Sequence, residues 1–203
     1  MPLWIAVLAF GLLGGRAVAY ETPKMEVVQR YRDFEVRRYP PQVVAQTEVE
    51  GDQGSAGNRA FPILAGYIFG KNHGERKIAM TAPVTQAPAG GAKIAMTAPV
   101  TQQSAGPRTW RVEFMMPSEY SLETLPQPDD PRVHLEAVPP RKVAAIRYSG
   151  SWSQKNYDKN LEKLREGMKR EGLAAKGEPV WARYDPPFKP WFLRTNEILI
   201  EVE

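Results

Sequence analysis

Two eighteen-residue stretches, Phe34–Gly51 (FEVRRYPPQVVAQTEVEG) and Val133–Gly150 (VHLEAVPPRKVAAIRYSG), align without a gap at an offset of 99 positions. They share Pro40/Pro139, Pro41/Pro140, Val44/Val143, Ala45/Ala144 and Gly51/Gly150. Apolar character also coincides at Phe34/Val133, Val36/Leu135, Tyr39/Val138 and Val49/Tyr148. A duplicated unit constrains topology more than composition does, because the fold must accommodate the same segment twice. Each copy reads as a strand, a Pro-Pro turn, a second strand and a glycine that releases the chain. In the second strand of the first copy, Val43, Ala45, Thr47 and Val49 share one face, and Gln46, Glu48 and Glu50 the other. That period of two marks a half-buried antiparallel strand.

The segments after the two copies correspond as well. After Gly51, the stretch Asn58–Phe69 (NRAFPILAGYIF) predicts a helix with Asn58 as N-cap and Gly70 as stop. Pro62 limits how far upstream that helix can begin, since proline is tolerated near the first turn. After Gly150, Ser153–Glu171 places Tyr157, Leu161, Leu164 and Met168 at helical spacing among Lys and Glu. Strand material closes both halves, at Trp110–Met116 in the first and at Val180–Tyr184 and Glu197–Val202 in the second. The expected fold is α+β, with two β-β-α-β-β halves joined by the Pro-rich stretch Pro117–Pro131. Neither half can bury its own sheet face, so the two pack or curl together with helices outside and a cleft between them.

A second, younger repeat lies inside the first half. The decapeptide KIAMTAPVTQ occurs at Lys77–Gln86 and again at Lys93–Gln102. Each copy reads as a short strand whose proline demotes its second half to an edge or bend. Gly90 and Gly91 in the link predict that the copies fold back as a hairpin.

At 203 residues and 42% hydrophobic content the chain suits one domain with a real core. A net charge of +4, spread out and without basic runs interleaved with aromatics, argues against a nucleic-acid groove. The absence of cysteine excludes disulfides, thiolate metal sites, thiol nucleophiles and thioether-linked haem. At the N-terminus, the apolar stretch Leu3–Leu13 is too short to span a membrane comfortably, and Ala17-Val18-Ala19 offers a small-x-small cleavage motif. Residues 1–19 are therefore expected to be a signal peptide cleaved after Ala19, leaving 20–203 as the mature domain in the periplasm or secreted. The n-region carries no Lys or Arg and Arg16 sits close to the cut, so an uncleaved anchor or a buried N-terminal helix is the competing reading.

Several phrases then converge. KIAMTAPV, Tyr184–Trp191 (YDPPFKPW), Arg194–Val202 (RTNEILIEV), Tyr31–Tyr39, and Phe114–Pro117 followed by SLETLP resemble the SOUL haem-binding family, over nearly all of the chain from Tyr20. The doubled decapeptide is similar to what exported bacterial members carry. The resemblance implies a duplicated, twisted antiparallel β-barrel flanked by two helices. It also implies non-covalent binding of haem or another tetrapyrrole in a shallow apolar groove, without catalysis. The groove it implies runs along the first helix, through Asn58, Arg59, Phe61, Pro62 and Ala65, and along the Pro-rich loop with Lys189 and Trp191. Lys189 matches a lysine assigned to a haem propionate. Asn58 falls where the family carries an arginine for the same task, with Arg59 adjacent, and Gly66 where it carries a lysine.

The residues themselves name few ligands for a metal. His73, in the turn GKNHG, is the candidate axial ligand, and His134 begins a strand. They are too few and wrongly spaced for a zinc site. Met80 and Met96 read as core residues and Trp110, Trp152 and Trp181 as core or rim aromatics, while Trp191 is placed against a flat ligand. Asn196 and Glu197 read as fold-supporting. No G-x-S-x-G elbow and no phosphate-binding glycine loop occurs. The expectation is a monomeric, non-enzymatic haem or tetrapyrrole carrier, scavenger or buffer, without a membrane span after processing. The alternative is a sensor or interaction module that binds another small amphipathic molecule in a similar cleft.

Overall fold

The computed structural model describes residues 21–74 and 91–203. The first KIAMTAPVTQ copy, the hairpin expected between the copies and the N-terminal stretch read as a signal peptide lie outside the described residues. Strands β1 (Glu26–Arg30), β2 (Glu35–Tyr39) and β3 (Gln42–Glu50) precede helix α1 (Gln53–Ile68). Then come β4 (Asn72–His73), β5 (Val100–Gly106), β6 (Thr109–Met115) and β7 (Gln127–Pro128). The second half runs β8 (His134–Val138), β9 (Arg141–Tyr148), α2 (Gln154–Arg170), β10 (Val180–Arg183) and β11 (Asn196–Val202).

Strands β4 and β7 pair as a small ribbon, and the other nine form one antiparallel sheet in the order β1-β2-β9-β11-β10-β5-β6-β3-β8. With β1 set aside, that order is a palindrome of the duplication. The series β2, β9, β11, β10 is answered from the far edge by β8, β3, β6, β5. The centre is the antiparallel pair β10 and β5, where Trp181 stands opposite Gln102. This is the duplicated α+β fold that the repeat implies, a curled half-barrel sheet with two helices.

The two strands within each repeat unit do not pair with each other. Strand β2 pairs with β9, whereas β3 pairs with β8 and β6. Two consecutive prolines remove two ladder donors and fix φ, so the turn passes the chain onward instead of closing a tight hairpin. Each half thus lends its first strand to the other. At the end of each unit, Gly51 and Gly150 adopt φ of 132° and 118°, backbone that a residue with a Cβ rarely takes, and the chain leaves the sheet for a helix.

Helix α1 starts earlier than the sequence suggests. Its N-cap is Asp52, not Asn58, and the Asp52 carboxylate accepts the Ser55 N–H at 2.9 Å. Pro62 consequently lies inside the helix. The residues Ala56, Ala60, Leu64 and Ile68, at i, i+4, i+8 and i+12, are all buried against the sheet. That packed stripe, with the cap, outweighs a helix-interior proline worth about 3 kcal/mol. Helix α2 keeps its expected bounds, with the Ser153 hydroxyl accepting the Asn156 N–H at 3.3 Å and Tyr157, Leu164 and Met168 buried.

The second decapeptide copy differs from expectation. Its proline begins a strand instead of weakening one: β5 opens at Val100, directly after Pro99. Ahead of it the chain is held by a bridge from Thr97 to Glu21 and by the Ile94 N–H donating to the Ile68 carbonyl at 2.8 Å. Proline has no N–H for the ladder, so it marks the start of strand pairing.

Both helices cover one face of the sheet. Tyr157, Leu164 and Met168 of α2 pack on Ile146, Ile198 and Ile200, and Ala60, Leu64 and Ile68 of α1 pack on Ala45, Val112 and Phe114. The other face carries a smaller cluster of Tyr39, Val143, Ala145, Ala182 and Leu199.

Candidate functional site

On the helix face, where the halves meet, a cavity of about 410 Å³ opens. The first half contributes Gly57, Asn58 and Phe61 from α1, and Met96, Ala98 and Val100 from the segment entering β5. The second half contributes Trp152, Arg183 and the loop through Pro187 and Phe188. The volume falls within the roughly 300–1,000 Å³ of small-molecule sites. Its walls are mainly aromatic and aliphatic, as expected of a cleft that desolvates a flat guest.

The Pro-rich loop is shaped by two residues on which nothing in its own spacing insists. Asp185 accepts the Thr195 N–H at 2.5 Å and the Lys189 ammonium at 2.5 Å, closing the loop at its neck. Arg194 donates to the Lys189 carbonyl at 2.8 Å and the Pro187 carbonyl at 2.5 Å, and its guanidinium lies 4.2 Å from the centre of the Trp152 ring. The loop's apolar side chains are left outward: Phe188 is 87% exposed, and Trp191, Phe192 and Leu193 are also exposed.

Arg183 is the one ionised group placed in the cavity wall among the described residues with no acid beside it. It follows buried Trp181 by two positions in β10, so alternation brings it to the same, helix-covered face. Its guanidinium carbon sits 3.9 Å from the Trp181 ring centre and 4.9 Å from that of Trp152. Its Nε and Nη2 are buried without a hydrogen-bond partner among the described residues. Burial, with the like charge of Arg194 nearby, lowers its pKa to about 10, so it stays charged at neutral pH.

Other buried charges are matched. Glu197, fully buried on the opposite face, accepts from Arg37, from Arg147 at 2.8 Å and from the Tyr184 hydroxyl at 2.7 Å. Burial alone would raise its pKa, but these donors outweigh burial and hold the carboxyl below the usual range. Asn196, also fully buried, accepts the Trp152 indole N–H at 2.8 Å and donates to the Gly150 carbonyl at 3.2 Å. Asn196 thereby ties one cavity wall to the strand below, a fold-supporting role with a consequence for the site.

Of the residues named from the sequence, Asn58 and Phe61 line the cavity. Arg59 turns away and donates to the Glu50 carbonyl at 2.6 Å. Pro62 is exposed on α1, and Ala65 is buried. The Lys189 ammonium is paired with Asp185, and Trp191 stands on the outer loop edge-on to Phe192 at 5.6 Å. His73 is on β4, away from the cavity, with its Nδ1 2.5 Å from Asp129. His134 is exposed on β8. Met96, which reads as core, is half-buried in the cavity wall, and Trp152, read as core or rim, is half-buried there too. Phe188 lines it from within the loop expected to form the groove, and Arg183 lines it with no role expected of it from the sequence. For Arg183 a signal existed, since a charge two positions from a buried tryptophan on a short strand must lie on the core face. Among the described residues no cluster of three His, Asp or Glu is arranged to hold a metal ion, and no helix is long and apolar enough to cross a membrane.

Comparison with known proteins fits this geometry. Heme-binding protein 2 of mouse is 28% identical over 177 residues, covering 83% of this chain and 81% of its own, and human Heme-binding protein 2 is 27% identical over 194 residues, covering 89% of each. Among solved structures, the EcmrR C-terminal domain superposes with a TM-score of 0.58 at 11% identity, over 90% of this chain and 99% of its own. A protein from Listeria innocua described as a hydrolase gives 0.54 at 13% identity, over 85% and 92%. At such identities these two structures share the fold alone. The model of the family described as SOUL heme-binding protein matches residues 20–201, so the chain belongs to that family.

Proposed function

We propose that the protein binds haem or a closely related tetrapyrrole non-covalently, as a carrier, scavenger or buffer without catalytic chemistry. The observation that carries this reading is the cavity itself, a mainly apolar cleft at the seam of the two halves with a cationic group set in its wall. A macrocycle supplies large apolar faces, and burying about 300 Å² of them at about 25 cal/mol per Å² contributes about 7 kcal/mol before ordering costs. Propionates supply negative charge to complement the guanidinium. With no cysteine in the chain, a thioether link to the vinyl groups is impossible. The described lining offers iron no imidazole; Met96 presents the softest donor there. Family membership and the two relatives named for haem support the reading. The rival reading, an amphipathic guest of another kind, meets an obstacle when that guest is cationic, because Arg183 would oppose it.

The test is titration of the purified mature protein with hemin. A shifted Soret band saturating near one equivalent at micromolar protein is expected, and an unchanged hemin spectrum would refute the proposal. His73→Ala should leave that spectrum as it is. We also propose that residues 1–19 are removed on export, which N-terminal sequencing of the protein recovered from its host would check.

A further inference from the structure

We propose that Arg183 is the anion anchor of the cavity, so that the ligand enters with a carboxylate leading and pairs it against this guanidinium below the apolar rim. The inference rests on the haem reading above and adds an orientation and a residue to it.

A guanidinium offers five N–H donors, and leaving them unmet away from water is expensive. Arg183 is nine-tenths buried, and its Nε and Nη2 have no acceptor among the described residues. The nearest described acids are committed elsewhere. Asp185, the carboxylate in the same lining, is taken up by Lys189 and the Thr195 N–H, and Glu197 serves Arg37 and Arg147 on the other face. Around the guanidinium stand the rings of Trp152 and Trp181, the Tyr148 hydroxyl, and Arg194, whose charge adds to its own. Two indole faces, 3.9 and 4.9 Å from the guanidinium carbon, restrict its movement while consuming none of its donors. Pre-orientation of this kind suits a bidentate carboxylate.

The first helix makes room for this arrangement. A Cβ at Gly57 would lie 2.8 Å from Arg183 Nη1, so only glycine lets the helix pass this close. Gly57, Arg183 and Trp152 all line the cavity, which puts the guanidinium at its wall and not in sealed core. Lys189, by contrast, holds an acid already and lines no part of it.

The experiment compares hemin with hemin dimethyl ester, in which both carboxylates are masked, using Soret titrations of wild type, Arg183→Met and Gly57→Ala. Wild type should prefer hemin to its ester. Arg183→Met should weaken hemin binding roughly ten- to hundredfold while leaving the ester unchanged, the range expected for one charged hydrogen-bonded pair. Gly57→Ala, which retains the charge but displaces it, should erode the same preference. The ligand-free Arg183→Met protein should melt no lower than wild type, because the change removes an unmatched buried charge. If neither porphyrin binds, the haem reading and this anchor fall together. If both bind wild type equally, or Arg183→Met keeps the preference, the anchor is refuted and haem binding stands.

Discussion

The Arg37 guanidinium grips the Glu197 carboxylate through two hydrogen bonds, 2.9 and 3.1 Å long, although the residues lie 160 positions apart in the chain. Both are buried, so the pair fastens β2 of the first half to β11 of the second under nearly water-free conditions. Changing Glu197 to Gln keeps the shape but takes away the buried carboxylate that matches the Arg37 charge, leaving Arg37 only the partly exposed Glu35 at 2.9 Å. Removing one partner of a buried pair costs about 3–5 kcal/mol. Arg147, more than half exposed, pairs with the same carboxylate, and Arg147→Ala should cost less than about 1 kcal/mol. Urea unfolding of the two variants should reproduce that contrast; equal losses would show that burial is not what gives the Arg37 pair its weight.

The same carboxyl sets a pH dependence. Glu197 is held below its usual pKa in the folded protein, so it binds fewer protons there than in the unfolded chain. Its contribution is complete above about pH 5 and is lost as pH falls through the unfolded value of about 4.3 toward the folded one. Glu113 works oppositely. Burial raises its pKa despite the Thr101 hydroxyl at 3.1 Å, so its contribution is greatest in acid and fades as pH rises through the folded value. Between pH 5 and 3, Glu197→Gln should therefore lose stability less steeply than wild type, and Glu113→Gln more steeply. Denaturant midpoints across that range measure both slopes.

Pro62 gives a prediction in the stabilising direction. It lies exposed in the interior of α1 and cannot donate to the Asn58 carbonyl one turn back. Pro62→Ala restores that donor and removes a ring clash, worth about 3 kcal/mol, but frees the unfolded chain, which takes back about 1 kcal/mol. A net gain of about 1–2 kcal/mol is expected, raising Tm by a few degrees for a chain of this size. A Tm at or below wild type would mean that the helix bends around Pro62 in a way the packing requires.

The duplication makes most of the fold readable from the chain alone. Alternation in Val43–Glu50 and the helical spacing of Tyr157, Leu164 and Met168 hold in the structure because tertiary packing reinforces them. The exchange of β2 and β8 is not readable, since a Pro-Pro turn specifies the loss of two donors but not the strand that the chain joins next. The start of α1 escapes a local reading because Pro62 dominates it, while the buried stripe from Ala56 to Ile68 has meaning only with a sheet beneath it. The candidate cavity is legible in outline, since the helix and the Pro-rich loop both contribute to its wall. Which side chains face inward is not, because Arg59 and Lys189 are each claimed by a partner that only the fold supplies, Glu50 and Asp185.

That last partnership separates the roles of two loop residues. Lys189 is about one-third exposed and holds Asp185 in a short contact within one turn of chain. Exposed pairs of this kind contribute about 0.2–1 kcal/mol, so Lys189→Ala should weaken hemin binding less than about fivefold, well short of Arg183→Met. Asp185 is the more buried partner and also accepts the Thr195 N–H, so Asp185→Ala leaves two donors unmet and should cost about 1–3 kcal/mol. Loosening the neck also releases Arg194 from the carbonyls of Lys189 and Pro187. Limited tryptic digestion reads this directly. Cleavage after Arg194 should be slow in wild type and Lys189→Ala, and fast in Asp185→Ala. Rapid cleavage in Lys189→Ala would instead make the ammonium, not the carboxylate, the group that closes the loop.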